Sequence, residues 1–83
     1  MRIRLEKINH IKRQRRFYEL DVQKTLFGNW CLNRSWGRIG NQGGRSIEDV
    51  FGSESEANQA LEALKSQKLR RGYASIPVQL KLF

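Results

Sequence analysis

Between residues 15 and 24, apolar and polar side chains alternate. Tyr18, Leu20 and Val22 have one parity, and Glu19, Asp21 and Gln23 have the other. A period of two places the two sets on opposite faces of an extended chain, so this segment reads as a half-buried strand. Residues 2–8 alternate in the same way, with Ile3 and Leu5 against Arg2, Arg4 and Glu6. Residues 9–14 are polar and read as a connection. Phe27-Gly28-Asn29 closes residues 25–29 as a hairpin loop, which makes residues 30–39 the partner strand. Three glycines mark residues 40–44 as another turn. Residues 45–51, with Ile47, Val50 and Phe51, follow as a further short strand.

The period then changes. Ser53 precedes Glu56 by three residues, the spacing of a helix capping box. Ala57, Ala60, Leu61 and Leu64 recur at the spacing of one helical stripe. Glu54 and Glu56 sit in the first turn, while Lys65, Lys68, Arg70 and Arg71 crowd the end, as the helix dipole favours. Gly72 is the expected stop. Beyond Pro77, residues 78–82 alternate again and read as an edge strand or tail. A helical stripe and a one-sided sheet must cover each other. The expected class is therefore α+β: a small antiparallel sheet of four to five strands with one amphipathic helix packed on one face. At 83 residues the chain has room for one domain.

Composition sharpens the picture through charge. Sixteen Lys and Arg against eight Asp and Glu leave a net charge of +8. A field of that sign on so small a surface favours polyanions, nucleic acid first. A single cysteine, Cys31, excludes an internal disulfide, and one histidine with one cysteine cannot build a structural zinc site. No apolar run reaches the length of a membrane helix, and the first residues are charged rather than signal-like. The expectation is a cytoplasmic protein, possible at the nucleoid, with no membrane association; the helical stripe is small, Ala-rich and needed for the core.

The chemistry concentrates in residues 33–45, NRSWGRIGNQGGR. On a strand, Arg34, Trp36 and Arg38 share a face with Trp30 and Leu32. The first two of that parity, Trp30 and Leu32, suit a core. Two guanidiniums flanking an indole do not, because unpaired buried charge is costly and acids are few. The strand is therefore expected to run past the helix-covered core or to bulge outward, leaving Trp36 part-exposed between cations that lack acidic mates. An indole offers a flat surface to a base or sugar, and each guanidinium can hold a pair of phosphate oxygens. Gly37, Gly40, Gly43 and Gly44 either let backbone approach a ligand or serve turn geometry alone.

Trp36-Gly37-Arg38-Ile39-Gly40 resembles the signature of the WGR domain family. The similarity extends to Phe17-Tyr18, to Leu26-Phe27-Gly28, to the helix start at residues 51–57 and to its end at residues 68–73, and covers about residues 2–73. The resemblance implies an antiparallel sheet with one packed helix. It also implies DNA binding near strand breaks, as in poly(ADP-ribose) polymerases, with Trp36 against a terminal nucleotide sugar. Arg38 would lie at the DNA and at contacts with neighbouring domains. The chain looks most like short, stand-alone bacterial members. Without a polymerase domain, ADP-ribosylation is not expected.

Further phosphate contacts are expected from Arg13, Arg15 and Arg16 in the first connection, with Lys12, and from Arg45 beside the glycine turn. No recognition helix or zinc finger is visible, so binding without strong sequence specificity is anticipated. No cofactor is implied. Catalysis is not expected: His10 stands alone among polar residues, Glu48 and Asp49 face opposite ways in a strand, and no Walker loop is present. The alternative function is a protein-interaction module anchored by Trp36 and Phe17. Oligomeric state is left open by the residues alone.

Overall fold

In the computed structural model of the chain, described for residues 2–40 and 44–76, five strands and one helix follow in order. They are β1 (Arg2–Asn9), β2 (Gln14–Lys24), β3 (Trp30–Arg38), β4 (Gly44–Phe51), α1 (Glu54–Arg70) and β5 (Ala74–Ile76). The sheet order is β4-β3-β2-β1-β5, with every pairing antiparallel. The first four strands form a meander of hairpins. α1 then carries the chain from the β4 edge to the opposite edge, where β5 joins β1. The expected α+β class is what the fold shows. The strand anticipated at residues 78–82 lies outside the described residues; the last described strand, Ala74–Ile76, has no alternation strong enough to reveal it.

The register explains the core. Val22 pairs with Leu32, Leu20 with Arg34, Tyr18 with Trp36, and Leu5 with Tyr18. These residues share the face that α1 covers. Leu5, Leu20, Leu32, Ala57 and Leu61 are fully buried there, joined by Tyr18 and Val22. Burying a Leu side chain stabilises by about 1.5–3 kcal/mol, so the four such leucines define the centre. Ala57 and Ala60 let the helix backbone come near the sheet, while Leu61 and Leu64 fill the gaps.

Both helix ends obey local rules. Ser53, extended at φ −147°, accepts the Glu56 N–H on its Oγ at 3.2 Å. The Glu56 carboxylate reaches back to the same hydroxyl at 3.5 Å, a variant of the anticipated capping box. At the other end Gly72 adopts φ +99°. Its N–H donates to the Leu69 carbonyl (3.2 Å) and the Tyr73 N–H donates to the Lys68 carbonyl (3.1 Å). This is the Schellman pattern, and it throws Tyr73 back beside Lys68. Among the described residues, no helix is long and apolar enough to cross a membrane.

Candidate nucleic-acid groove

Two rows of side chains cross the end of the sheet on the helix-covered face. The inner row reads Leu5, Tyr18, Trp36, Arg45 across β1 to β4. The outer row reads Lys7, Arg16, Arg38 across β1 to β3. Opposite residues on neighbouring strands stand only about 5 Å apart, so the outer row sets like charges side by side. That costs stability unless an anion sits among them. The last turns of α1 cover part of the inner row, with Lys68 above Tyr18. The space left is an open groove of about 660 Å³, lined among others by Arg16, Tyr18, Arg34, Trp36, Arg38, Lys68 and Tyr73.

The aromatic floor is a pair of rings rather than one. Tyr18 and Trp36 stack with centroids 5.5 Å apart and planes 10° from parallel, and Tyr73 meets Tyr18 edge-on at 6.4 Å. Trp36 is half-buried and packs against the core. It keeps an open side toward the groove.

Lys68 hangs over this floor, its Nζ 4.4 Å from the Tyr18 centroid and 5.8 Å from that of Tyr73. The rings favour its charged form, but burial, followed by the nearby positive charges of Arg71 and Arg34, lowers its pKa from 10.5. Lys68 is thus a cation short of counter-charge.

One expectation is corrected. Arg34 does have an acidic mate: its Nε lies 3.0 Å from Asp49 Oδ2. The N–H is not aligned for a hydrogen bond, so the contact is coulombic. Asp49 comes from β4, and a strand read alone cannot reveal a diagonal neighbour across the sheet. Among the described residues, Lys7, Arg16, Arg38 and Lys68 have no carboxylate within ion-pair distance. The acids of β1 and β2 are committed on the opposite face. There Arg4 bonds Glu6 (2.8 Å) and Glu19 (2.7 Å), and Arg2 reaches Glu19 (3.4 Å). The hydrogen bond to Glu6, ahead of the other effects, raises the Arg4 pKa.

The structure brings together Arg16, Arg34, Trp36, Gly37 and Arg38 of the anticipated residues. Arg13 (φ +53°, in the β1–β2 loop), Arg15, Gly40 and Arg45 lie outside the groove lining. Arg45 is nonetheless directly opposite Trp36 in register. Gly43 lies outside the described residues. The absent side chain at Gly44 has a structural reason, since a Cβ there would come within 2.9 Å of the Trp36 carbonyl oxygen. Lys68, Tyr18 and Tyr73 were not anticipated as groove residues. A signal for Lys68 was present: it stands four residues beyond Leu64, so the core stripe of α1 ends in an ammonium.

A chain comparison places this geometry. Residues 1–79 match the family model described as "WGR domain". The chain is also similar to the uncharacterized protein y4dW of Sinorhizobium fredii. The two are 36% identical over 76 residues, 92% of this chain and 37% of that relative's length. The chain thus spans little more than a third of the curated relative it matches. With Trp36, Gly37 and Arg38 of the family signature lining the groove and a match along nearly its whole length, the chain belongs to the WGR domain family, whose members are generally nucleic-acid-binding modules.

Proposed function

We propose that this chain binds DNA through the groove at the β2–β3 end, without strong sequence specificity and without catalysing a reaction. The supporting observation is that Arg16, Arg38 and Lys68 line the aromatic floor, and Lys7 stands 5.9 Å from the Tyr73 ring beside it, all without carboxylate partners among the described residues. Phosphates supply the missing counter-charge. Trp36 presents its open side to a nucleotide sugar or base, and Arg38 beside it holds the adjoining phosphate. Arg16 and Lys7 extend the track across β2 and β1. Arg34, half-neutralised by Asp49, steadies the floor. The groove holds cations and aromatic rings but no paired acid and base, which suits binding rather than chemistry. Its ligand places the protein with DNA in the cytoplasm or at the nucleoid.

The register argues against the protein-docking alternative in its simplest form. Phe17 pairs with Gly37 and so has the opposite parity to Trp36. Its ring is held by Arg4, 4.8 Å from the centroid. Phe17 and Trp36 both line the groove, but their side chains leave the sheet on opposite faces.

The test is titration of labelled blunt, nicked and single-stranded DNA and of RNA at several salt concentrations. Neutralising about four phosphates predicts a log–log salt slope of roughly −3 to −4. An absence of DNA binding at about 50 mM salt would overturn the proposal.

A further inference from the structure

The two edges of the sheet differ. Among the described residues, one edge is β5 (Ala74–Ile76) and the other is β4, a regular eight-residue strand with no proline and no lysine. Ile47 and Val50 on it are 44% and 60% exposed. One row of backbone N–H and C=O groups along β4 faces no strand among the described residues. Short strands, proline and charged side chains, lysine above all, are the usual devices that keep an edge from pairing; β4 is long and has neither proline nor lysine, and its charges are Arg45, Glu48 and Asp49.

We infer that β4 pairs antiparallel with β4 of a second copy of this chain, with Ile47 on the two-fold axis. The residues of β4 select that partner and that register. With Ile47 opposite the partner's Ile47, Arg45 falls opposite the partner's Asp49, and Asp49 opposite the partner's Arg45. Ser46 meets the partner's Glu48, and Gly44 leaves room for the partner's Val50. Opposed residues in an antiparallel pair share a face, and opposite charges there attract. The symmetry makes each favourable pair occur twice. Neighbouring registers are penalised. A shift of one step in one direction sets Glu48 opposite the partner's Glu48, and a second step sets Asp49 opposite the partner's Asp49. A shift the other way loses both ion pairs, because Arg45 then faces the partner's Ile47. A sequence complementary to itself about one central residue fits a second copy better than it fits an unrelated strand.

Asp49 is able to serve both neighbours. Its side chain is 41% exposed, and its contact with Arg34 lacks hydrogen-bond alignment. The two-fold axis stands perpendicular to the sheet, so both helices and both grooves face the same side of a ten-stranded sheet. This pairing does not depend on what the groove binds.

The experiment is sedimentation velocity on wild type, Arg45→Asp, Asp49→Arg and an equimolar mixture of the two variants. An edge contact well below about 1,200 Å² is weak, so the measurements extend to about 1 mM protein. Wild type is expected to dimerise with concentration. Each single reversal places like charges opposite each other twice and is expected to weaken the dimer at least tenfold. The mixture is expected to recover it, because the acidic edge of one variant then meets the basic edge of the other. Recovery cannot come from a folding defect. Should Asp49→Arg not fold, amide exchange in wild type decides: exchange in β4 slows with concentration if the pairing forms. A wild-type monomer at about 1 mM, concentration-independent exchange in β4, or folded variants that stay monomeric when mixed would each overturn the inference.

Discussion

Lys68 holds its ammonium 4.4 Å above the ring of Tyr18, one turn beyond the last leucine of the α1 stripe. The position belongs geometrically to the core, yet the residue is charged. Its lowered pKa, due first to burial, says that the folded state disfavours that charge. Lys68→Met keeps the stem and removes the charge. The substitution is expected to raise the melting temperature and weaken DNA binding together, a trade of stability against function that calorimetry and titration measure on the same samples.

The same residue predicts a pH dependence. Below its folded-state pKa, Lys68 is protonated in both folded and unfolded chains, and its penalty on stability is constant. Between that lowered value and 10.5 the unfolded chain binds more protons, so this residue's contribution to stability rises with pH. Denaturation curves across the alkaline range are expected to show this rise in wild type and to lose it in Lys68→Met. Phosphate beside Lys68 favours the charged form, so DNA binding at alkaline pH takes up protons, measurable as a buffer-dependent heat.

Gly72 positions Tyr73 against Lys68 through the left-handed turn at φ +99°. A Cβ there faces a strained conformation and the Lys7 stem at 3.4 Å. Gly72→Ala is expected to cost about 1 kcal/mol or more. DNA affinity is expected to fall as well, because the turn places two groove residues, Lys68 and Tyr73, at once. Unchanged affinity in a destabilised variant would remove the turn from the binding site.

Arg16 and Arg38 face each other across β2 and β3. Replacing either by Ala relieves a like-charge contact and deletes one phosphate partner. Thermal stability is expected to hold or improve slightly, while the salt slope loses roughly one unit per substitution. A slope that stays constant would place the DNA elsewhere.

Trp36 separates stacking from packing. Trp36→Ala removes both the nucleotide surface and the partner of Tyr18, and is expected to lower affinity by roughly 5- to 150-fold, with some loss of stability. Trp36→Phe keeps a ring on Tyr18 and is expected to restore most of the stability but only part of the affinity.

The sequence by itself determined the elements and their order. Alternation over β2 and β3, the Ser53 cap, the apolar stripe from Ala57 to Leu64 and the Gly72 stop are local signals, each read within a few residues. It also carried Trp36, Arg38 and Arg34 as candidate binding residues, because an aromatic set between cations is visible along one strand, and Arg16 as one of a basic cluster read in the first connection, which the structure puts in β2. Only the tertiary structure decided which residues share a site. The cross-strand register set Arg16 beside Arg38 and Tyr18 beside Trp36, sent Phe17 to the other face, and gave Arg34 the acid from β4. The Schellman turn brought Tyr73 and Lys68 over the same floor. Such neighbours are set by strand pairing and helix docking, which depend on residues far apart in the chain and leave no mark in the spacing of any one segment.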